Sequence, residues 1–310
     1  MMRASYGDVV AEHRAIREDV AVVHGSHEVV WVEGPGSVGF LQGILSQDLE
    51  SMASGDVARS FLLAPQGKLE ALLWLAKEAE RVAVVVDTRF GELVAERLNY
   101  YRIRVKAEVR VEERPVWSLW GPRARDVADV GQHWADRDGA VRIPFPTRGV
   151  DRVLVIGDLE VSGLPKAGEL AVTAVRVESG EPVMGRDVDE KTIPQETGLV
   201  DEAVSFTKGC YLGQELVARI DSRGHVNRRL RGVAVTRNVL PPEGAEVWAD
   251  DRQVGTLTSV SESVFVGAPI GLSLLRREVN DGDEVEIRWG PAESPSTTPA
   301  IARPLPMTVF

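Results

Sequence analysis

The residue types that could carry out chemistry are concentrated in one segment, residues 208–219. Cys210 is the only cysteine of the chain; it lies between Gly209 and Gly213, and a helical pattern follows at 214–220. A helix N-terminus and a nearby lysine both favour the thiolate form of a cysteine. Glycines also let backbone N–H groups approach an anionic ligand closely. A buried, inert cysteine beside a packing turn fits the same pattern, and the local sequence favours neither interpretation.

The composition is that of a soluble globular protein, with 44% hydrophobic and 27% charged residues among 310. A single cysteine excludes an internal disulfide and fits a reducing compartment. Residues 1–19 mix acidic and basic side chains and lack the apolar core of a signal peptide. No apolar run reaches the roughly 18 residues that a membrane span requires. We therefore expect a cytoplasmic protein with no membrane partner.

The formal net charge of −11 argues against binding of DNA, which requires a surplus of Lys and Arg. One basic run contrasts with this acidic background, and it is either a solvated face or a local patch that attracts anions. Its members are Arg219, Arg223, Arg228, Arg229 and Arg231.

Two further patterns suggest sites but are weaker. Gly34–Gly39 fits the G-x-G-x-x-G pattern of dinucleotide-binding turns. The strand that follows returns by a hairpin, so the βαβ crossover of such domains is missing and a tight strand-to-helix turn is the better interpretation. His24 and His27 lack a third metal ligand nearby, and we predict no metal site.

The hydrophobic pattern predicts an α+β fold of antiparallel sheets with flanking helices, followed by a small C-terminal β-barrel. Strands at 27–32, 58–63, 69–75 and 82–86 are predicted, and the connections between the last three are too short for parallel crossovers. We divide the chain into three modules, which span residues 1–114, 115–229 and 230–310.

Helices are predicted at 37–45, with Ser37 as the N-cap, at 90–101 and at 169–178. The tail from Pro291 is rich in Pro, Ser and Thr. We expect this tail to be extended or loosely ordered.

The segment Lys208–Glu215 reads Lys-Gly-Cys-Tyr-Leu-Gly-Gln-Glu, and Val217-Ala218-Arg219 and Arg223-Gly224 follow it. This series resembles the K-G-C-Y-x-G-Q-E-x-V-A-R-x-x-x-R-G motif of YgfZ-type folate-binding proteins, which belong to the superfamily of the glycine cleavage T-proteins. The motif is too long for a chance agreement. Shorter blocks agree with the same family, and with the motif they span roughly residues 27 to 230. These blocks are Phe40–Gly43 with Gln47–Leu49, Pro65–Lys68, Arg176–Pro182 and Ile193–Glu196.

The resemblance implies a ring of three modules around a cleft that accepts tetrahydrofolate or a folate derivative. It places Arg176 and Glu178 near the folate ring, where Glu178 would suit hydrogen bonds to a pterin. His27 occupies a position where relatives can carry an aromatic residue, and an imidazole stacks less well. Further folate-binding candidates from the motif are Lys208, Tyr211, Gln214, Glu215 and Arg219.

One departure from the superfamily bears on chemistry. The T-proteins that this chain resembles transfer an aminomethyl group to tetrahydrofolate, and they use an acidic pair that follows a glycine turn. In this chain Glu70 keeps one acid and Ala71 replaces the other. A general acid or base must reach the nitrogen it serves, and Ala71 cannot do so. Whether the chain is an enzyme therefore stays open at the level of sequence.

The resemblance implies a folate-binding accessory protein for assembly or repair of iron–sulfur clusters, with Cys210 as its functional thiol. Iron–sulfur client or assembly proteins would be its partners. One cysteine cannot hold a cluster, which usually takes four ligands, so the thiol would form a transient mixed disulfide or supply a single ligand. The alternatives are a tetrahydrofolate-dependent aminomethyl- or methyltransferase and an interaction scaffold that binds no folate.

Overall fold

The computed structural model describes residues 2–145, 147–159, 163–224 and 226–307. Two five-stranded antiparallel sheets and one closed six-stranded barrel form the body of the protein. The predicted α+β class with a C-terminal barrel is therefore confirmed. No helix of the described residues combines the length and the apolar character needed to cross a membrane.

The first sheet has the strand order β3-β4-β5-β2-β6, and two helices cover one of its faces. Each neighbouring pair is antiparallel, as the short connections predict, and the described sheet has no βαβ crossover after the Gly34–Gly39 turn. Helix α2 begins at Ser37 with Gly36 as the N-cap, so the prediction of Ser37 as the cap is wrong by one position. The elements are β2 (His27–Glu33), α2 (Ser37–Gln42), β3 (Val57–Leu63), β4 (Leu69–Glu78), β5 (Arg81–Asp87), α3 (Gly91–Tyr101) and β6 (Glu108–Val111).

The second sheet has the order β1-β7-β10-β9-β8. Strand β1 pairs with β7, and Ile16 of α1 packs in one apolar cluster with Val175 of α5. Residues before His27, which the sequence analysis placed in the first module, thus pack with the second sheet, because their apolar faces are buried there. The elements are α1 (Val9–Glu18), β1 (Ala21–His24), β7 (Val116–Trp120), α4 (Ala124–Ala128), β8 (Ala135–Arg137), β9 (Ala140–Phe145), β10 (Arg152–Ile156) and α5 (Glu169–Ser179).

The third body is the barrel, which closes in the order β11-β14-β13-β12-β15-β16. Strand β16 pairs with both β11 and β15, so the tail predicted from Pro291 is extended over this strand, and the alternative of a loosely ordered tail is wrong there. Its Pro, Ser and Thr residues are held because closure of the barrel leaves no free edge. The strands are β11 (Arg228–Val235), β12 (Glu246–Ala249), β13 (Arg252–Ser263), β14 (Ala268–Arg276), β15 (Glu284–Trp289) and β16 (Ser296–Arg303).

A mostly irregular segment connects α5 to the barrel. Helix α5 ends at Gly180, whose φ of 71° is in the left-handed region that glycine adopts without strain. The segment contains a 3-10 turn at Pro194–Glu196, α6 (Val200–Ala203) and α7 (Gln214–Arg223).

The two sheets pack face to face over a shared apolar core. Trp31 and Trp74 of the first sheet contact Phe145 and Leu154 of the second sheet in this core. The opposite face of the first sheet is covered by α2 and α3. The first sheet is consequently buried on both faces, and its inner face is set against the second sheet.

A buried ion pair joins the second sheet's helices to the barrel. The Glu178 carboxylate on α5 accepts a hydrogen bond from His13 at 2.9 Å and contacts the Arg17 guanidinium, both on α1. It also accepts from the hydroxyl of Ser263, on β13. Burial by itself would raise the pKa of Glu178, but His13 and Arg17 together lower it. The carboxylate is thus held ionised at the junction.

We expect Glu178→Gln to lower the free energy of unfolding by roughly 3 kcal/mol, because Arg17 loses its buried counter-charge. Chemical denaturation followed by circular dichroism measures this difference. The matched control is Glu169→Gln on the exposed face of the same helix, which should change stability by less than about 0.5 kcal/mol. Equal stabilities of the two variants would contradict the assignment of Glu178 as a junction residue.

Candidate functional site

A row of aromatic rings marks the point where the two sheets meet. The rings of Trp74 and Phe145 stack with centroids 5.2 Å apart and an interplanar angle of 9°. His27 lies edge-on to Phe145 at 5.8 Å. The guanidinium of Arg59 lies over Trp74, 4.1 Å from its ring centroid. Three strands of the first sheet and one of the second thus build one continuous wall.

Two titratable groups lie on this wall. His27 and Asp87 are register partners on β2 and β5, and both are partly exposed. Burial is nevertheless the main cause of their shifts: it lowers the pKa of His27 to about 3 and raises that of Asp87 to about 6. The partly exposed His27 and Asp87, with the rings beside them, mark a candidate binding site where the two sheets meet, and we call this site the central cleft.

Charged side chains surround the central cleft. Arg59 forms ion pairs with Glu181 and, at 2.8 Å, with Glu202. Arg152 begins β10 as the register partner of Phe145 and is 5% exposed. Its charge lowers the pKa of His27 further, so the imidazole is neutral at neutral pH. The central cleft therefore combines flat apolar rings with buried guanidinium groups and a neutral imidazole.

The cysteine predicted to be functional lies in a different place. Cys210 is exposed, in a turn that precedes α7. Its neighbour Lys208 donates to three backbone carbonyls, of Gln42, Leu45 and Gln47, at 2.6 to 2.8 Å. Burial lowers the pKa of Lys208 to about 8. Lys208 thus fixes the position of this turn against the loop after α2.

The turn is anchored at the end of β3. Gly213 has a φ of 76°, and a Cβ there would lie 2.5 Å from the carbonyl oxygen of Ala64. Tyr211 is buried in an apolar cluster with Phe61, and burial raises its pKa to about 12. Gly213 contacts Ala64, which lies five residues after Arg59. The turn and the central cleft are therefore on the order of 15 Å apart along the strand.

The structure distributes the predicted folate residues over several places. His27 lines the central cleft. Arg176 pairs with Asp187 at 2.6 Å and lowers the pKa of Asp87, so it lies behind the cleft. Glu178 lies in the junction described above. The remaining candidates lie in the Cys210 turn and on α7. Lys208 and Tyr211 hold the turn as described above, and the Gln214 side chain accepts a hydrogen bond from the Tyr211 N–H at 3.2 Å. Glu215 and Arg219 are exposed on α7. Direct folate contact by any of these residues stays a prediction.

The sequence analysis missed the residues that line the central cleft with His27. Arg59 lies within the largely apolar strand β3, and Arg152 is the first residue of the apolar strand β10. Asp87 is the last residue of a third such strand, β5. A lone charge in an apolar strand is the signal that could have found them, because charges are rarely buried without a partner or a function. Trp74 and Phe145 carry no such signal.

Glu70, the one acid that the chain keeps after the glycine turn, lies in a β-bulge. The register of β3 and β4 shifts so that Leu62 faces Ala71 and Leu63 faces Leu69, which leaves Glu70 as the extra residue. Its carboxylate pairs with Arg97 at 3.1 Å, while its Oε2 atom is buried without a hydrogen-bond partner among the described residues. Ala71 packs in the apolar core. One carboxylate is thus available here, and it is held by the bulge.

Comparison with known proteins identifies the class to which this fold belongs. Residues 3–144 match the family described as the GCVT N-terminal domain, and residues 228–300 match the glycine cleavage T-protein C-terminal barrel domain. Over these residues the chain is similar to the glycine cleavage T-proteins.

Individual relatives agree with this assignment. Proteins named aminomethyltransferase from Chlorobium phaeobacteroides and Staphylococcus carnosus are 24% and 25% identical to the chain. The first alignment covers 92% of this chain and 87% of the relative, and the second covers 93% and 87%. The solved structure of glycine cleavage system aminomethyltransferase T from Bartonella henselae has a TM-score of 0.88 at 18% identity, and covers 98% of this chain and 91% of its own. The protein therefore has an aminomethyltransferase-like fold.

The raised pKa of Asp87 predicts a pH dependence of stability. Because the folded state binds this proton more tightly than the unfolded state does, the Asp87 contribution to stability falls as the pH rises from about 4 to about 6. Asp87→Asn keeps an acceptor for the Met184 N–H and removes the charge. We expect it to raise the free energy of unfolding by about 1–3 kcal/mol at pH 7 and to leave it unchanged at pH 3.5.

Denaturation curves at several pH values check this expectation. Asp151→Asn, at an exposed carboxylate, is the matched control and should keep the wild-type pH profile. A loss of stability in Asp87→Asn at pH 7 would show that the charged carboxylate is needed for folding.

Proposed function

We propose that the protein binds a reduced folate in the central cleft and that Cys210 acts as a functional thiol in assembly or repair of iron–sulfur clusters. The observation that carries the folate part is the set of polar side chains that four strands place beside the rings of Trp74 and Phe145, namely His27, Asp87, Arg59 and Arg152. A pteridine is a flat, polar ring. Buried hydrogen-bond donors beside aromatic side chains suit such a ring.

The second part of the proposal rests on the position of Cys210. The thiol is exposed, and the Lys208 contacts and Gly213 hold its turn in one conformation. A single thiolate can supply one ligand to a cluster whose other ligands come from a client protein. In that step the thiol loses its proton to solvent and donates an electron pair to iron, with no change of oxidation state. Iron–sulfur client or assembly proteins are the proposed partners.

A second candidate is transfer of an aminomethyl or methyl group to tetrahydrofolate. The similarity to aminomethyltransferases favours it, and so does the bulged Glu70, whose Oε2 has no hydrogen-bond partner among the described residues. A carboxylate could serve as a general base for the folate nitrogen, whereas Ala71 cannot. This candidate requires folate as well, so binding alone does not separate the two.

Tetrahydrofolate should bind saturably to the purified protein in isothermal titration calorimetry. Trp74→Phe should weaken binding about tenfold, because the smaller ring supports the Arg59 guanidinium less well. Trp248→Phe is the matched control, because Trp248 carries a similar arginine stack on the barrel, with Arg288 at 4.4 Å from its ring centroid. No binding by the wild type would leave only a scaffold function.

Cells that carry Cys210→Ser should lose most of the activity of iron–sulfur enzymes that depend on this protein, because serine is a poor iron ligand. Folate affinity should stay within about twofold of the wild type, since the cleft lies at the other end of β3. Thr207→Ala, an exposed change in the same turn, serves as the control. Wild-type enzyme activities in the Cys210→Ser cells would exclude the thiol function.

Glu70→Gln separates the two candidates. If the protein is a transferase, this change should lower turnover of tetrahydrofolate by at least about 100-fold, because general base catalysis contributes roughly that much. Product formation with an aminomethyl donor is the measurement, and Glu96→Gln on the exposed face of α3 is the control. Turnover that needs Glu70 and ignores Cys210 would replace the iron–sulfur proposal with the second candidate.

A further inference from the structure

Arg152 carries a buried charge, and two of its three guanidinium nitrogens lack hydrogen-bond acceptors in the described part of the chain. Its side chain starts β10, and the residue is 5% exposed. Two of its nitrogens, Nε and Nη2, are buried and have no hydrogen-bond partner among the described residues. A charged donor left without an acceptor in a protein interior is costly, and proteins rarely keep one that has no function.

The neighbouring carboxylates do not fill this role. No described carboxylate oxygen forms an ion pair with Arg152 within 4.0 Å. Glu181 is engaged by Arg59, and Asp87 accepts the N–H of Met184. Burial lowers the pKa of Arg152 only to about 10, so the guanidinium stays protonated at neutral pH. The group therefore remains a cation with free donors.

The Trp120 ring fixes the position of the Arg152 guanidinium. It lies 3.8 Å from the ring centroid of Trp120, a stack that restricts rotation of its plane. On β10, Arg152 shares a face with Leu154 and Ile156, which pack against the first sheet in the core with Phe145. Its register partner is Phe145 itself. The free donors are thus placed next to the ring wall of the central cleft.

We propose that Arg152 anchors the ligand of the central cleft by donating two hydrogen bonds, from Nε and Nη2, to the edge of the pteridine ring that carries the 4-oxo group. Two donors of one guanidinium can share a single carbonyl oxygen, because that oxygen has two lone pairs, and the 4-oxo group provides such an oxygen. The proximity of Phe145 favours the ring of the folate over its glutamate tail. This inference rests on the proposed folate function and assigns a binding residue for it.

The inference predicts opposite effects on stability and on affinity. Arg152→Met removes an unpaired buried charge while keeping an unbranched apolar stem, so the melting temperature of the ligand-free protein should rise by about 3 °C. Affinity for tetrahydrofolate should fall roughly 10- to 100-fold, the loss expected for hydrogen bonds from a charged donor. A purely structural arginine predicts the reverse, a lower melting temperature and an unchanged affinity.

The experiment combines thermal unfolding of the ligand-free protein with calorimetric titration of three probes. The probes are tetrahydrofolate, a tetrahydropterin without the tail, and p-aminobenzoylglutamate, which is the tail alone. Arg152→Met should weaken tetrahydrofolate and tetrahydropterin by the same factor. A loss confined to p-aminobenzoylglutamate would overturn the assignment to the ring.

Two controls keep the outcome clear. Arg142→Met on the neighbouring strand β9, whose guanidinium donates to the backbone carbonyls of Arg137 and Ala140, should leave the affinity unchanged. If Arg152→Met fails to fold, Arg152→Lys keeps the charge and removes the paired donors, and it should show the same loss of affinity. Wild-type protein that binds none of the probes defeats the folate proposal and this inference together. Wild-type affinity in a folded Arg152 variant defeats this inference alone.

Discussion

The face-to-face contact of the two five-stranded sheets is the interaction on which the other features depend. Trp31, Trp74 and Phe145 form an apolar core that closes the inner face of each sheet to solvent. Where this core ends, the same strands carry polar side chains, and their separation leaves the central cleft. The core keeps the central cleft rigid, because the packing of rings from both sheets fixes the side chains that line it.

Electrostatics in the interior follows from the same packing. Guanidinium groups from both sheets meet near the central cleft, and they differ in how many hydrogen bonds and ion pairs the protein gives them. Arg59 and Arg176 each have a close acidic partner, whereas Arg152 has a ring on one side and no hydrogen-bond acceptor for two of its nitrogens among the described residues. The burial that makes this charge costly also makes a bound acceptor valuable, since hydrogen bonds strengthen where water is excluded. Ligand binding and folding therefore place opposite demands on this position.

The thiol and the central cleft are separate in space and are joined by β3. Arg59 lies near one end of this strand, and the turn of Cys210 is anchored at the other end through Gly213. The separation lets one protein present an exposed thiol to a large partner while a small ligand occupies the interior. Lys208, which is close to Cys210 in the sequence, fixes the turn by donating to backbone carbonyls.

Periodicity and turn chemistry within a few neighbouring residues predict four of the five strands of the first sheet, at 27–32, 58–63, 69–75 and 82–86, together with the helices at 37–45, 90–101 and 169–178 and a C-terminal barrel. The tertiary structure, in contrast, places β1 in the second sheet, closes the barrel with β16 and buries Glu178 in a junction. It also decided the central cleft, whose lining residues His27, Arg59, Asp87 and Arg152 come from four strands. Their proximity arises from contacts between distant parts of the chain, and no local pattern encodes such contacts.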